Sequence, residues 1–90
     1  MWFIIVNTMK VDINNEYTNK DFAESLKELL SDKDWSYSQL SYKTELTASY
    51  LNQIVNRKKN TPNNENIEKI AKAFGLKPEY FREYRNRRLN

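Results

Sequence analysis

Ten consecutive residues, Thr47-Ala48-Ser49-Tyr50-Leu51-Asn52-Gln53-Ile54-Val55-Asn56, carry hydroxyls, amides and apolar groups but no charge, and they run directly into Arg57-Lys58-Lys59. A solvated helix face more often carries Lys and Glu. Uncharged hydrogen-bonding side chains flanked by cations suit base edges flanked by phosphates, since amides and hydroxyls read donor and acceptor patterns while cations neutralise the backbone. Leu51 and Ile54 are core residues under any reading, which leaves Ala48, Ser49, Tyr50, Asn52 and Gln53 on the exposed side.

The chemistry that the chain lacks is as informative. It has no His and no Cys, so zinc sites, disulfides and the commonest general base are excluded. A single Gly, Gly75, cannot build a dinucleotide or P-loop cradle. No nucleophile–base pair can be assembled, and no carboxylate pair stands out. No enzyme activity, metal or cofactor is expected. Ninety residues with a net charge of +3 make one domain's worth of chain. The charge is unevenly spread: residues 1–56 hold five cations and eight anions, residues 57–90 ten cations and four anions. This asymmetry fits a basic face for a polyanion, and equally an ordinary solvated surface with Lys-rich helix ends.

The elements that position these groups follow from periodicity. Trp2-Phe3-Ile4-Ile5-Val6 and Met9–Ile13 read as short strands, forming a hairpin or one extended arm over residues 1–17. The first run is too short for a membrane span or a secretion signal, and Met9 is an alternative start that would make residues 1–8 dispensable. From Thr18 or Asn19 the period becomes helical, with Phe22, Leu26, Leu29 and Leu30 on one face. Trp35 is expected to plug the end of the core. A second helix runs from Ser36 or Tyr37 to about Thr44, and a third from an N-cap at Thr47 to about Asn56. A fourth starts near Asn63 or Asn64, buries Ile67, Ile70, Ala71 and Phe74, and stops at Gly75. A fifth opens at Lys77-Pro78-Glu79 and carries Tyr80, Phe81 and Tyr84 as apolar positions.

The second and third helices are joined only by Glu45-Leu46. Ser41 is the small contact residue and Leu46 the apolar plug of a helix-turn-helix. The block 37–57 resembles the phage-repressor family, the domain of lambda repressor and Cro, through Leu40-Ser41, Leu46-Thr47, Leu51 and Ile54. The basic loop Lys58-Lys59…Pro62 continues the match. So do the helix Ile67-x-x-Ile70-Ala71-x-Ala73-Phe74-Gly75-Leu76 and the run Pro78-Glu79-Tyr80-Phe81. Three positions depart from the family pattern: Glu45 stands at the turn glycine, Tyr37 at the glutamine that opens the second helix, and Val55-Asn56-Arg57 at Glu-x-Gly.

The resemblance implies an all-α, five-helix lambda-repressor-like domain over residues 18–88, preceded by the β-like arm. It implies sequence-specific binding of double-stranded DNA by a cytoplasmic transcriptional regulator, a repressor, bacterial or phage-encoded. The third helix would lie in the major groove, with Ala48, Ser49, Asn52 and Gln53 facing bases. Tyr37, Thr47, Asn56, Arg57, Lys58 and Lys59 would hold phosphates. Two-fold dimerisation is expected through the arm or the fifth helix, the alternative being an arm folded back as a hairpin onto its own domain. With no second domain to bind an inducer, control by expression or by a partner is expected over control by a ligand. The alternative is a protein-interaction module of the same fold, such as an antitoxin or anti-regulator with a cognate protein partner.

Overall fold

Phe22, Leu26 and Leu30 recur every fourth residue, so one stripe of the first helix is apolar and its burial holds that helix in place. The computed structural model describes residues 17–89 and forms five α-helices and a 3₁₀ turn. These are α1 (Phe22–Lys33), α2 (Tyr37–Thr44), α3 (Ala48–Val55), α4 (Asn64–Ala73), the 3₁₀ turn Pro78–Tyr80, and α5 (Arg82–Leu89). Among the described residues there is no strand, and the all-α architecture expected from the sequence is found. The expected strands over residues 2–6 and 9–13 lie outside the described residues. Among those described, no helix is long and apolar enough to cross a membrane.

The helices enclose one core. Phe22, Leu26, Leu40, Leu51, Ile67, Ile70 and Phe81 are inaccessible to solvent, and Leu30, Ile54, Ala71, Phe74 and Tyr84 complete the cluster. α2 packs against both α3 and α4, α1 packs on α3, and the 3₁₀ turn bridges α4 and α5. Trp35 closes one end as expected: its ring stacks on Phe74 at 4.9 Å, and the Lys43 ammonium lies 4.8 Å above it.

Polar side chains start each of the first four helices by accepting an otherwise orphaned backbone N–H. The Asp21 carboxylate takes the Glu24 N–H at 3.0 Å, the Thr47 hydroxyl takes that of Tyr50 at 3.1 Å, and the Asn63 amide oxygen takes that of Asn66 at 2.9 Å. Ser36 and Gln39 form a reciprocal capping box, at 3.1 and 2.7 Å. Gly75, at φ 72°, ends α4 in the left-handed conformation that its missing Cβ permits.

Two expected boundaries are corrected. α1 begins at Phe22 rather than at Thr18 or Asn19, because the backbone of Thr18 is engaged elsewhere. Its N–H donates to the Tyr80 carbonyl at 2.9 Å, and its carbonyl accepts from Arg85 at 2.9 Å. The expected fifth helix from Lys77 is broken at Phe81, which is extended (φ −85°, ψ 131°). The break satisfies packing. Adjacent aromatics at Tyr80 and Phe81 would splay by about 100° on a continuous helix, whereas the extended residue lets Phe81 bury fully against Phe22, with ring centroids 4.6 Å apart.

Candidate nucleic-acid interface

The turn between α2 and α3 is three residues of interlocking hydrogen bonds. The buried Thr44 hydroxyl donates to the Leu40 carbonyl at 2.8 Å and accepts the Leu46 N–H at 3.2 Å. Between them Glu45 takes φ 65°, ψ 15°, and its N–H closes α2 on the Ser41 carbonyl at 2.8 Å. Leu46 packs against the core as the plug, and Thr47 then starts α3. Glu45 therefore occupies the left-handed conformation that a glycine accepts without strain.

This turn sets α3 against the start of α2 so that Tyr37, Ser38, Ala48, Ser49, Asn52, Gln53 and Lys58 line one open groove. All four residues expected to face bases are in it, together with Tyr37 and Lys58 of the expected phosphate contacts. Ser38 was not anticipated. The available signal was its place one residue after Tyr37 in the first turn of α2. Ser49 and Asn52 are exposed; Ala48, Gln53 and Tyr37 are half-buried. Thr47 stands at the head of α3, where its oxygen is used as a cap and its hydroxyl hydrogen remains available.

Tyr50 is corrected: it does not join the exposed face. It is half-buried against the core, and its hydroxyl accepts from the Asn66 amide at 3.2 Å, tying α3 to α4. Asn56 turns back on α3, its amide nitrogen donating to the Asn52 carbonyl at 2.9 Å and to Asn52 Oδ1 at 2.7 Å. Asn52 is thereby steadied, with its own Nδ2 left to donate.

The cations divide. Lys58 and Lys59 are exposed and make no ion pair among the described residues, and their N–H groups both point at the Gln53 carbonyl, at 2.8 and 3.3 Å. Lys59 and Arg57 open onto a different cleft, shared with Asp21, Asn60 and Thr61. There the Arg57 guanidinium pairs with the Asp21 carboxylate. That guanidinium first, and the Glu24 N–H second, hold the Asp21 carboxyl below its usual range. The basic C-terminal third is only partly a face for a polyanion. Arg82 donates to the Asn19 carbonyl at 3.0 Å, Arg85 to those of Glu79 at 2.9 Å and Tyr80 at 3.0 Å, and Arg87 to that of Pro62 at 2.7 Å. Three arginines that look like a polyanion-binding tail in sequence instead bind carbonyls of this chain.

A family model for the Cro/C1-type HTH DNA-binding domain matches residues 25–84. The chain belongs to this family. The matched segment spans α1 to the first turn of α5, and so contains both helices of the groove and the loop beyond it. No curated protein and no solved structure gives a significant match. The Cro/C1-type domain is a DNA-binding one.

Proposed function

We propose that this Cro/C1-type protein is a sequence-specific transcriptional regulator, a repressor, that lays α3 in the major groove of double-stranded DNA. The observation that carries this reading is the single groove in which Ala48, Ser49, Asn52 and Gln53 converge with Lys58 as its one cation. Those four side chains meet base edges, and Gln53 has the paired amide donor and acceptor that match adenine N7 and N6. Tyr37, Thr47, Lys58 and Lys59 take phosphates and set the register. Asn56 and Arg57 join them only by leaving their present partners, Asn52 and Asp21. A domain of residues 18–88 that occupies its site acts by excluding other proteins from it, in the cytoplasm of a bacterium or of a phage-infected cell. The N-terminal arm supplies the two-fold partner contact.

The test is selection of a preferred duplex from a random pool, followed by salt-titrated binding of that duplex and of an unrelated one. The Gln53→Ala variant is expected to lose about 1–3 kcal/mol on the selected site and to relax discrimination at one base pair. Equal losses on both duplexes would remove Gln53 from base readout. Failure to enrich any sequence would remove the specific-regulator reading altogether.

A further inference from the structure

Arg57 stands just beyond the last residues of α3, and its backbone is fixed without help from its side chain. It takes φ 61°, its N–H donates to the Ile54 carbonyl at 3.1 Å, and the next two N–H groups are held by the Gln53 carbonyl. The guanidinium is therefore able to change partners while the loop stays where it is. At present it reaches to Asp21, a residue distant in sequence, with both terminal nitrogens on the carboxylate. Asp21 has a separate task as the cap of α1. The pair is open to solvent: 60% of the Arg57 side chain and 33% of the Asp21 side chain are accessible. It lies in the cleft that also holds Lys59, while Lys58, between Arg57 and Lys59 in the chain, lines the groove. A guanidinium fork accepts a carboxylate or a phosphate in the same two-pronged geometry.

We propose that Asp21 is an internal stand-in for a DNA phosphate, holding Arg57 in the free protein and competing with the duplex for it. The inference rests on the DNA-binding reading above. Binding then exchanges one anion for another at Arg57, so this arginine contributes less than its charge promises. Because phosphates are the same in every sequence, the competition lowers affinity for all duplexes alike and leaves discrimination between them untouched.

The test compares four full-length proteins: wild type, Asp21→Asn, Arg57→Gln and the double variant. Asparagine caps a helix as well as aspartate does, so Asp21→Asn removes the charge and keeps α1, which thermal melts of all four verify. Fluorescence anisotropy is measured on a selected and an unrelated duplex. Asp21→Asn is expected to tighten both by about fivefold, the upper end for an exposed ion pair. The same substitution in the Arg57→Gln background is expected to change neither. An equal gain in that background would mean that Asp21 only repels DNA, and a loss on Asp21→Asn would mean that the pair positions the loop; either overturns the proposal. Asp21→Asn without effect, in a wild type that binds, sinks this inference alone. A wild type that binds no duplex removes the DNA-binding reading with it.

Discussion

Glu45 and Thr44 show how the turn between α2 and α3 is held by single residues. The Thr44 hydroxyl bonds to groups on both sides of the turn and is buried, at 4% exposure. It replaces water for the Leu46 N–H, which the change of direction would otherwise leave unpaired. Glu45 accepts the left-handed conformation at a cost, because its Cβ crowds the following carbonyl. Replacing Glu45 by Gly is therefore expected to stabilise the domain by about 0.5–1 kcal/mol, relief of strain offset by the greater freedom of glycine in the unfolded chain. In a domain of this size that raises the melting temperature by several degrees, about 4–8 °C per kcal/mol. Glu45→Ala serves as the control. An equal gain from alanine would show that loss of the carboxylate, not the backbone conformation, is responsible.

At the scale of elements, the loop after α3 is where charge and geometry meet. Lys58 and Lys59 are anchored through their backbone to Gln53, so the cations are carried by the same helix that presents the groove. If both contact phosphates, Lys58→Ala with Lys59→Ala weakens binding to every sequence and flattens the dependence of log K on log salt by roughly 2. An unchanged slope in a salt titration would place the loop away from the duplex. The pair Tyr50–Asn66 belongs to the same scale: it ties α3, which lines the groove, to α4.

At the scale of the whole molecule, the question is assembly. One helix-turn-helix reads few base pairs, and useful affinity over competing DNA ordinarily needs two, set about 34 Å apart by a two-fold axis. Of the two elements with apolar residues to spare, the helix-five region uses its own internally: Phe81 is fully buried, Tyr84 nearly so, and Tyr80 packs against the core. The arm, with Trp2-Phe3-Ile4-Ile5-Val6, is therefore the element on which the dimer proposal stands. Deleting residues 1–8 is expected to shift the protein from dimer to monomer and to weaken DNA binding. Sedimentation at tens of micromolar checks this (a range in which only weak interfaces dissociate). Two monomers that bind DNA equally would exclude the arm and leave room for the rival reading, a module whose arm pairs with another protein.

Sequence pattern alone determined the order of the first four helices, the core from Phe22 to Phe74 and the cap at Thr47, because burial of one helix face and satisfaction of its first N–H groups are local demands written at short spacing. The residues that line the groove, Ser38 excepted, were legible from the short turn between the second and third helices, the uncharged third helix and the family resemblance. What tertiary structure decided is where a side chain or backbone group finds a partner far along the chain. Thr18 pairs with Tyr80 and Arg85, and so delays α1. Phe81 meets Phe22, and so breaks the fifth helix. Tyr50 reaches Asn66 and leaves the exposed face, and Arg57 finds Asp21 instead of solvent. None of these pairs has a repeat or spacing to announce it. The first three form because a polar group withdrawn from water must be satisfied or a ring must be packed, the last because two opposite charges meet in an open cleft. Only the folded chain determines which residue is there to do it.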